Sequence, residues 1–215
     1  MSRYPEYDEI SALAEAAGLI VMGALEEEGR SLILLGAGPG FWDIFGTSPE
    51  ASDGAADPVD RWSERVVDRL AARLDAEAIF PFGGPPYAPF IRWAVDSGRA
   101  WQSPVGMLVH DRVGMMISYR GALHLPRSIP LPAPISENPC LSCESRPCVS
   151  ACPVGALSDM HGYRLDACHA YLDTGPGQRS CMTRGCAVRL ACPVSTGAGR
   201  TAAQSALHME AFHRR

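Results

Sequence analysis

The chain has 215 residues, of which 47% are hydrophobic and 20% are charged, as is typical of a globular protein. Its formal net charge of -5 argues against a nucleic-acid-binding protein, which would carry an excess of basic residues. It contains no apolar run long enough to span a membrane, and its N-terminal sequence MSRYPEYDEI lacks the apolar segment of a secretory signal. We therefore expect a cytoplasmic protein whose cysteines meet a reducing environment.

The first elements of the chain are predicted from their hydrophobic periodicity. Apolar side chains recur at helical spacing over residues 6–17, and Gly18 follows as a helix-ending glycine. Residues 18–25 and 31–38 are short apolar runs of strand length, separated by the turn-like sequence EEEG. These patterns predict one helix followed by two strands.

A glycine-rich loop, GAGPGF over residues 36–41, follows the second predicted strand. It resembles a dinucleotide-binding fingerprint at Gly36 and Gly38, but Phe41 occupies the position of the third glycine. We therefore favour a simple turn from a strand to a helix.

A longer helix is predicted after Asp57-Pro58, because Asp is a favourable N-cap and Pro a favourable first helical residue. Its apolar residues recur at steps of three and four and form one stripe, namely Val59, Trp62, Val66, Leu70 and Leu74. Downstream we expect a strand within 76–82, a short helix over 90–97, and a β-hairpin or β-pair within 105–125 that turns at residues 110–112.

A proline-rich stretch over residues 128–139 predicts an extended linker. We place the domain boundary there, giving a mixed α/β domain over 1–130 and a second domain over 131–215. All eight cysteines lie in the second domain. Dense cysteine in a reducing compartment indicates metal or redox chemistry.

The cysteines form two runs, each ending in Cys-Pro-Val. The first run has the spacing C-x2-C-x4-C-x3-C-P, and consists of Cys140, Cys143, Cys148 and Cys152. The second run is more widely spaced, and consists of Cys168, Cys181, Cys186 and Cys192. Bacterial ferredoxins use a similar run, in which the fourth cysteine ligates the other cluster.

Two [4Fe-4S] clusters with exchanged fourth ligands follow as the leading interpretation. The first cluster would be held by Cys140, Cys143, Cys148 and Cys192. The second would be held by Cys152, Cys168, Cys181 and Cys186. One cluster with a different second site, structural zinc and disulfides are the alternatives, although only Cys140 and Cys143 have the close pairing that zinc sites prefer. His161 and His169 lie near these cysteines and could replace a lost thiolate ligand.

Two stretches resemble a known superfamily, namely IFPFGGPPYAPFIRWAVDSG over 79–98 and VGMLVHDRVGMMISYRGALHLPRSIPLP over 105–132. Followed by the cysteine runs, they are similar to the cobalamin-handling proteins with a nitroreductase-like core. That group includes the CblC-type cobalamin-processing proteins, the epoxyqueuosine reductases and the reductive dehalogenases. The resemblance implies an α+β protein, in which a nitroreductase-like α/β core with an antiparallel sheet precedes a small ferredoxin-like two-cluster domain.

The resemblance departs from the epoxyqueuosine reductases in one loop. Those enzymes carry a catalytic Asp where this chain has Gly83-Gly84, so tRNA modification is disfavoured. By similarity to the CblC type, Arg112 and Arg120 are expected near a bound cofactor, with exposed strand charges as the alternative interpretation.

The resemblance also implies a site for cobalamin, or alternatively FMN, in the first domain. Its predicted residues are Phe82, Gly83, Gly84, Pro85, Pro86, Tyr87, Trp93, Trp101, Met115, Met116 and Tyr119. Glycine would allow a flat ring to approach the backbone, and the aromatic and Met side chains would supply an apolar wall, unless they are simply core residues.

The expected function is electron delivery from the clusters to this cofactor. A soluble electron donor, and a corrinoid-dependent partner protein, are the expected partners. The other interpretations are an iron–sulfur flavoprotein reductase and a ferredoxin-like carrier without activity of its own.

Overall fold

A computed structural model describes residues 4–134 and 137–214. The fold is mixed α+β with antiparallel sheets. The chain divides into two compact units, of which the first comprises Met1–Arg99 and Ser118–Ser136, and the second comprises Ala100–Ile117 and Glu137–Arg215. The segment 100–117 therefore packs with the cysteine-bearing part of the chain, although it precedes the proline-rich stretch. That stretch has no helix or strand over 128–134, and residues 135–136 lie outside the described residues.

A four-stranded antiparallel sheet forms the centre of the first unit. Its strands in spatial order are β1 (Leu19–Glu27), β2 (Arg30–Ala37), β6 (Tyr119–His124) and β3 (Glu77–Ile79). The β1–β2 hairpin turns at Glu28 and Gly29, both at positive φ. Leu32, Ile33, Leu34 and Leu35 are fully buried, as expected for a strand covered on both faces. The predicted strands at these positions are confirmed.

The first unit also contains the helices α1 (Tyr7–Ala16), α2 (Phe41–Gly46), α3 (Pro58–Leu74) and α4 (Phe90–Asp96). Of these, α1 and α4 contact β1, and α3 contacts β3 and β6. The predicted helices over 6–17, after Asp57-Pro58 and over 90–97 are confirmed. In the stripe on α3, however, Val67 is the buried residue and Val66 is only half-buried. The other four residues of the stripe are buried as predicted, and Val67 takes the place of Val66 on the buried face.

The glycine-rich loop is a turn between β2 and α2. A side chain at Gly38 would meet Cγ2 of Ile20 at 2.5 Å, and one at Gly36 would meet the carbonyl oxygen of Ser118 at 2.9 Å. These glycines are thus explained by close packing within the first unit. The sheet is antiparallel, whereas a dinucleotide-binding fold requires parallel strands.

The hairpin predicted over 105–125 was wrong. Strand β5 (Leu108–His110) pairs with β4 (Ala100–Gln102), which precedes it, while β6 joins the sheet of the first unit. Between them, residues 111–117 form a turn that is held to the second cysteine run. The backbone N–H of Met115 donates to Oγ of Ser195 at 3.0 Å. The apolar pattern correctly predicted two strands in this segment, but it carried no information on which strands they pair with.

After residue 137 the second unit consists mainly of short elements joined by turns. It contains a two-stranded ladder, β7 (Leu157–Ser158) and β8 (Gly162–Tyr163), and several short helices. The helices are α5 (Leu165–Leu172), α6 (Gly175–Arg179), α7 (Cys181–Arg184), α8 (Ala187–Ala191) and α9 (Ala202–Phe212). Within the parts of the chain that are described, none of the helices has the length and apolar character needed to cross a bilayer.

Candidate metal centre

Four cysteines line a single cavity in the second unit. Cys140, Cys143, Cys148 and Cys192 border this space of about 490 Å³, together with Val109, Met115, Glu144 and neighbouring residues. We call these four the first cysteine set. Cys192 belongs to the second run in sequence but lies with three members of the first run, as the ligand-exchange pattern predicts.

Turns and short helices position the first cysteine set. The side chain of Asn138 accepts a hydrogen bond from the backbone N–H of Cys140 at 2.9 Å. Cys148 lies in the 3-10 turn Pro147–Val149, and Cys192 lies at the start of the 3-10 helix Pro193–Ala198. Both are buried, at 6% and 7% exposure.

The charges of the same four residues act on one another. Burial raises the pKa of the Cys140 thiol, and the neighbouring charges of Cys148, Cys192 and Cys143 raise it further. Such mutual repulsion identifies thiols that cannot all ionise together unless a cation lies between them.

The remaining cysteines form a second cysteine set, consisting of Cys152, Cys168, Cys181 and Cys186. Burial raises the pKa of Cys168, and the charges of Cys186, Cys152 and Cys181 act in the same direction. Cys181 packs in a small core with Leu172 and Met209. The charge of Cys152 thus acts on Cys168 of the second run, and Cys152 also packs against the core that contains Cys148 and Cys192.

The two sets are neighbours within one unit. The core that contains Cys148 and Cys192 is also contacted by Cys152 and Cys186 of the second set. All eight cysteines are free thiols.

Over the described ranges, no group of three or more His, Cys, Asp or Glu side chains is arranged so that it could hold a metal ion. A single zinc ion requires its four ligands to meet at one point. In a [4Fe-4S] cluster each thiolate binds a different iron atom, so the four sulfurs stand further apart. Each cysteine set offers four thiols, which is the number of protein ligands that either one zinc ion or one [4Fe-4S] cluster takes.

The two histidines near the cysteines take different positions. Nδ1 of His169 lies 2.6 Å from Nδ1 of His213, and Nε2 of His213 lies 2.9 Å from Oδ1 of Asp173. The ring of His169 also stacks on Phe212, with centroids 4.8 Å apart. His169 is thus engaged with α9, whereas His161 is exposed.

The residues predicted to bind an organic cofactor are divided between the two units. Phe82, Gly83, Gly84, Pro85, Pro86 and Tyr87 lie in one loop of the first unit, and Trp93, Tyr119 and Arg120 lie in the same unit. Trp101, Arg112, Met115 and Met116 lie in the second unit.

Within the loop, Gly83 and Gly84 both have φ of +103°, and the side chain of Tyr87 is 64% exposed. A positive φ favours glycine, and this backbone conformation explains both residues. Close packing does not explain them, because a Cβ at either position would meet open space.

The predicted basic residues differ in their surroundings. Nη1 of Arg120 lies 3.0 Å from Oδ1 of Asp60, so the charge of Arg120 is balanced by a carboxylate within the first unit. Arg112 is exposed. Trp93 donates from Nε1 to Oε1 of Glu27 at 3.0 Å and is buried, which is the behaviour of a core residue.

Sequence reasoning missed two residues beside the second cysteine set, Tyr163 and Arg189. Arg189 lies on α8 and follows Cys186, the N-cap of this helix, by three positions. That spacing was visible in the sequence. The approach of Tyr163 to Cys168 was not, because it depends on the β7–β8 turn.

The chain matches no model of a known protein family and no curated protein. Its resemblance to the cobalamin-handling superfamily stays a prediction.

Proposed function

We propose that this chain is an iron–sulfur electron-transfer protein, in which two [4Fe-4S] clusters deliver electrons to a corrinoid bound by a nitroreductase-like first unit. The observation that carries this proposal is the division of eight thiols into two sets of four, each composed of three cysteines from one run and one from the other. Thiolates are the ligands that iron–sulfur clusters require.

Metal binding would change the ionisation of the thiols. Burial raises the pKa of Cys148 and of Cys186, so neither would ionise readily alone. Coordination to iron deprotonates a thiol and neutralises the charge that burial disfavours. The same coordination would join the turn around Cys143 to the helix end at Cys192.

The clusters would supply one-electron chemistry. A soluble one-electron donor would be oxidised, and each electron would pass to the corrinoid cobalt. The oxidation state of the cobalt would fall by one for each electron received. The chain's own part is to hold the eight thiolates, to exclude water from them and to orient the corrinoid.

The loop 82–87 supports the acceptor part of the proposal. Its two glycines leave open space above the backbone, and Tyr87 projects from it with most of its ring exposed. An exposed aromatic ring beside a bare backbone suits a flat macrocycle or an isoalloxazine ring.

An anaerobic reduction experiment tests the proposal. The purified protein should contain about eight iron atoms and eight sulfides per chain. After reduction, addition of hydroxocobalamin should oxidise the clusters and reduce the cobalt in equal amounts. If FMN is reduced and cobalamin is not, the chain is a flavoprotein reductase. If neither is reduced, it is an electron carrier, and a protein without iron refutes the whole proposal.

A matched pair of variants tests the loop. Tyr87→Ala should weaken cobalamin binding, and because Tyr87 is exposed it should leave the fold intact. Ile44→Ala removes another exposed apolar side chain of the same unit and should leave binding unchanged. Equal binding by both variants would exclude the loop as the acceptor site.

A further inference from the structure

Part of the wall of the first-set cavity comes from a segment that precedes the cysteines in sequence. Met115 lines this cavity together with Val109, and both residues lie before the proline-rich stretch. The side chain of Met115 is 1% exposed, and it packs in the same core as Cys148 and Cys192. Met115 is therefore an apolar, buried neighbour of thiols that would hold a metal, without offering a thiolate itself.

The backbone around Met115 is held in place by hydrogen bonds. We call residues 112–116 the strap. The backbone N–H of Met115 donates to Oγ of Ser195 at 3.0 Å. The carbonyl oxygen of Met115 accepts a hydrogen bond from Nη1 of Arg189 at 2.9 Å. Both partners flank Cys192 in sequence, so the backbone of Met115 is fixed to the segment that supplies the fourth thiol of the first set.

The two ends of the strap are attached to the same part of the second unit. A Cβ at Gly197 would overlap the carbonyl oxygen of Arg112, so the backbones of these two residues pass very close to each other. At the other end, Nη2 of Arg200 donates to the carbonyl oxygen of Met116 at 3.0 Å. The strap is thus held along its whole length, and the side chain of Met115 has a defined position in the cavity wall.

We propose that Met115 is a positioning residue of the first cysteine set, whose side chain closes the cavity against water and small solutes. The inference rests on the proposed function, since it takes this set to be a metal centre. The apolar side chains around a metal site control the access of solvent to the metal. An unbranched thioether side chain is well suited to fill an irregular gap of this kind. The segment 100–117 is then a part of the metal centre, although it contains no cysteine.

Alkylation of the purified full-length protein with iodoacetamide, followed by peptide mass spectrometry, tests the inference. The rate of labelling of each thiol is compared with its rate in the wild type, whichever metal is bound. Met115→Ala removes most of the side chain and should increase the labelling rates of Cys148 and Cys192 severalfold. Cys181 of the second set is also buried, at 7% exposure, and should keep its wild-type rate.

Two variants separate closure of the cavity from a general loss of packing. Met116→Ala is the matched control, because Met116 is buried at 4% exposure but is not among the described residues that border the cavity. It should lose a similar amount of packing and leave the labelling of Cys148 and Cys192 unchanged. Met115→Leu keeps an apolar side chain of similar volume and should restore slow labelling.

A milder change tests the same point if Met115→Ala does not fold. Ser195→Ala removes the hydroxyl that accepts from the backbone of Met115, and it should also increase the labelling of Cys148 and Cys192. Thr196→Ala is its control, since the exposed hydroxyl of Thr196 donates to the carbonyl oxygen of Pro193 and should not affect labelling.

The outcomes distinguish this inference from the proposed function. A wild-type protein without iron would refute the proposed function, and the labelling rates would still decide whether Met115 closes the cavity. Unchanged labelling of Cys148 and Cys192 in Met115→Ala, or in Ser195→Ala where the first variant does not fold, would overturn the inference. An equal increase in Met116→Ala, or an equal increase at all eight cysteines, would also overturn it, because the cause would then be a general loosening of the unit.

Discussion

The two units of this chain are stabilised in different ways. The first unit has a core of long apolar elements, in which Trp62, Phe41 and the leucines of β2 are fully buried. In the second unit, cysteines are themselves members of the cores, with Cys148 and Cys192 in one and Cys181 in the other. The first unit is stabilised by a core of apolar side chains. The second unit buries reactive thiols at positions where a core usually has unreactive apolar side chains.

Helix length sharpens this contrast. In the first unit α3 extends over 17 residues, whereas α6, α7 and α8 have five, four and five. Isolated helices shorter than about 12 residues are marginal in water. Metal binding would add to the stability of the second unit, because binding to the native state alone stabilises that state.

The largest expected effect is selective unfolding of the second unit when iron is removed. A chelator under anaerobic conditions should abolish hydrogen-exchange protection in residues 137–214. The first unit should retain its protection in β1, β2 and β6, because its core contains no cysteine. Equal protection of both units before and after chelation would show that metal binding does not stabilise the second unit.

A glycine substitution tests the contact between the segment 100–117 and the rest of the second unit. Gly114 has a φ of +55°, and a Cβ there would lie 2.7 Å from Cα of Ser195. Gly114→Ala should destabilise the second unit by roughly 1–3 kcal/mol from overpacking, in addition to the backbone strain.

Gly106→Ala is the matched control, since Gly106 has a φ of +81° and open space around a Cβ. It should cost only the strain of roughly 1–2 kcal/mol. Denaturant midpoints of the second unit measure both effects. Equal midpoints for the two variants would show that the contact with Ser195 does not crowd the turn.

The smallest expected effect is electrostatic and lies in the first unit. Nη2 of Arg65 donates to Oε2 of Glu50 at 2.8 Å, and this hydrogen bond lowers the pKa of Glu50 from 4.5 to about 2. Because the pKa is lower in the folded state, the pair stabilises the unit above about pH 4.5, and this stabilisation is lost as the pH falls towards 2.

Glu50→Gln should therefore lower the stability of the first unit by roughly 1 kcal/mol at pH 7, and by nothing near pH 2. Glu64→Gln, at an exposed position of α3, is the control and should change little at either pH. A Glu50→Gln effect that is equal at both pH values would exclude the ion pair as its cause.

Local elements of the first unit could be predicted because each rests on periodicity or on a terminal residue. Pro58 and Gly18 marked helix ends, and the run at 31–38 marked a buried strand. The partners of the strands could not be predicted, because β5 and β6 have similar apolar patterns but join different sheets. Their separation depends on the packing of Gly114 and Met115 against Ser195, which lies 80 residues further along the chain.

For the candidate metal centre, the cysteine spacing and its similarity to the bacterial ferredoxin pattern led to the predicted grouping, which stays a prediction. The surroundings were less accessible to prediction. Tyr163 approaches Cys168 only after the β7–β8 turn has formed, and Met115 enters the cavity of the first set from a segment far away in sequence.

The central claim is that the two cysteine sets exchange one member each, and iron analysis of two variants tests it most directly. Cys192→Ser should lose the first cluster and keep the second, and Cys152→Ser should do the reverse. Each variant should retain about four irons, and the two should show different paramagnetic signals. If each variant instead lost the cluster of its own cysteine run, or if the wild-type protein were colourless and bound zinc, the claim would be contradicted.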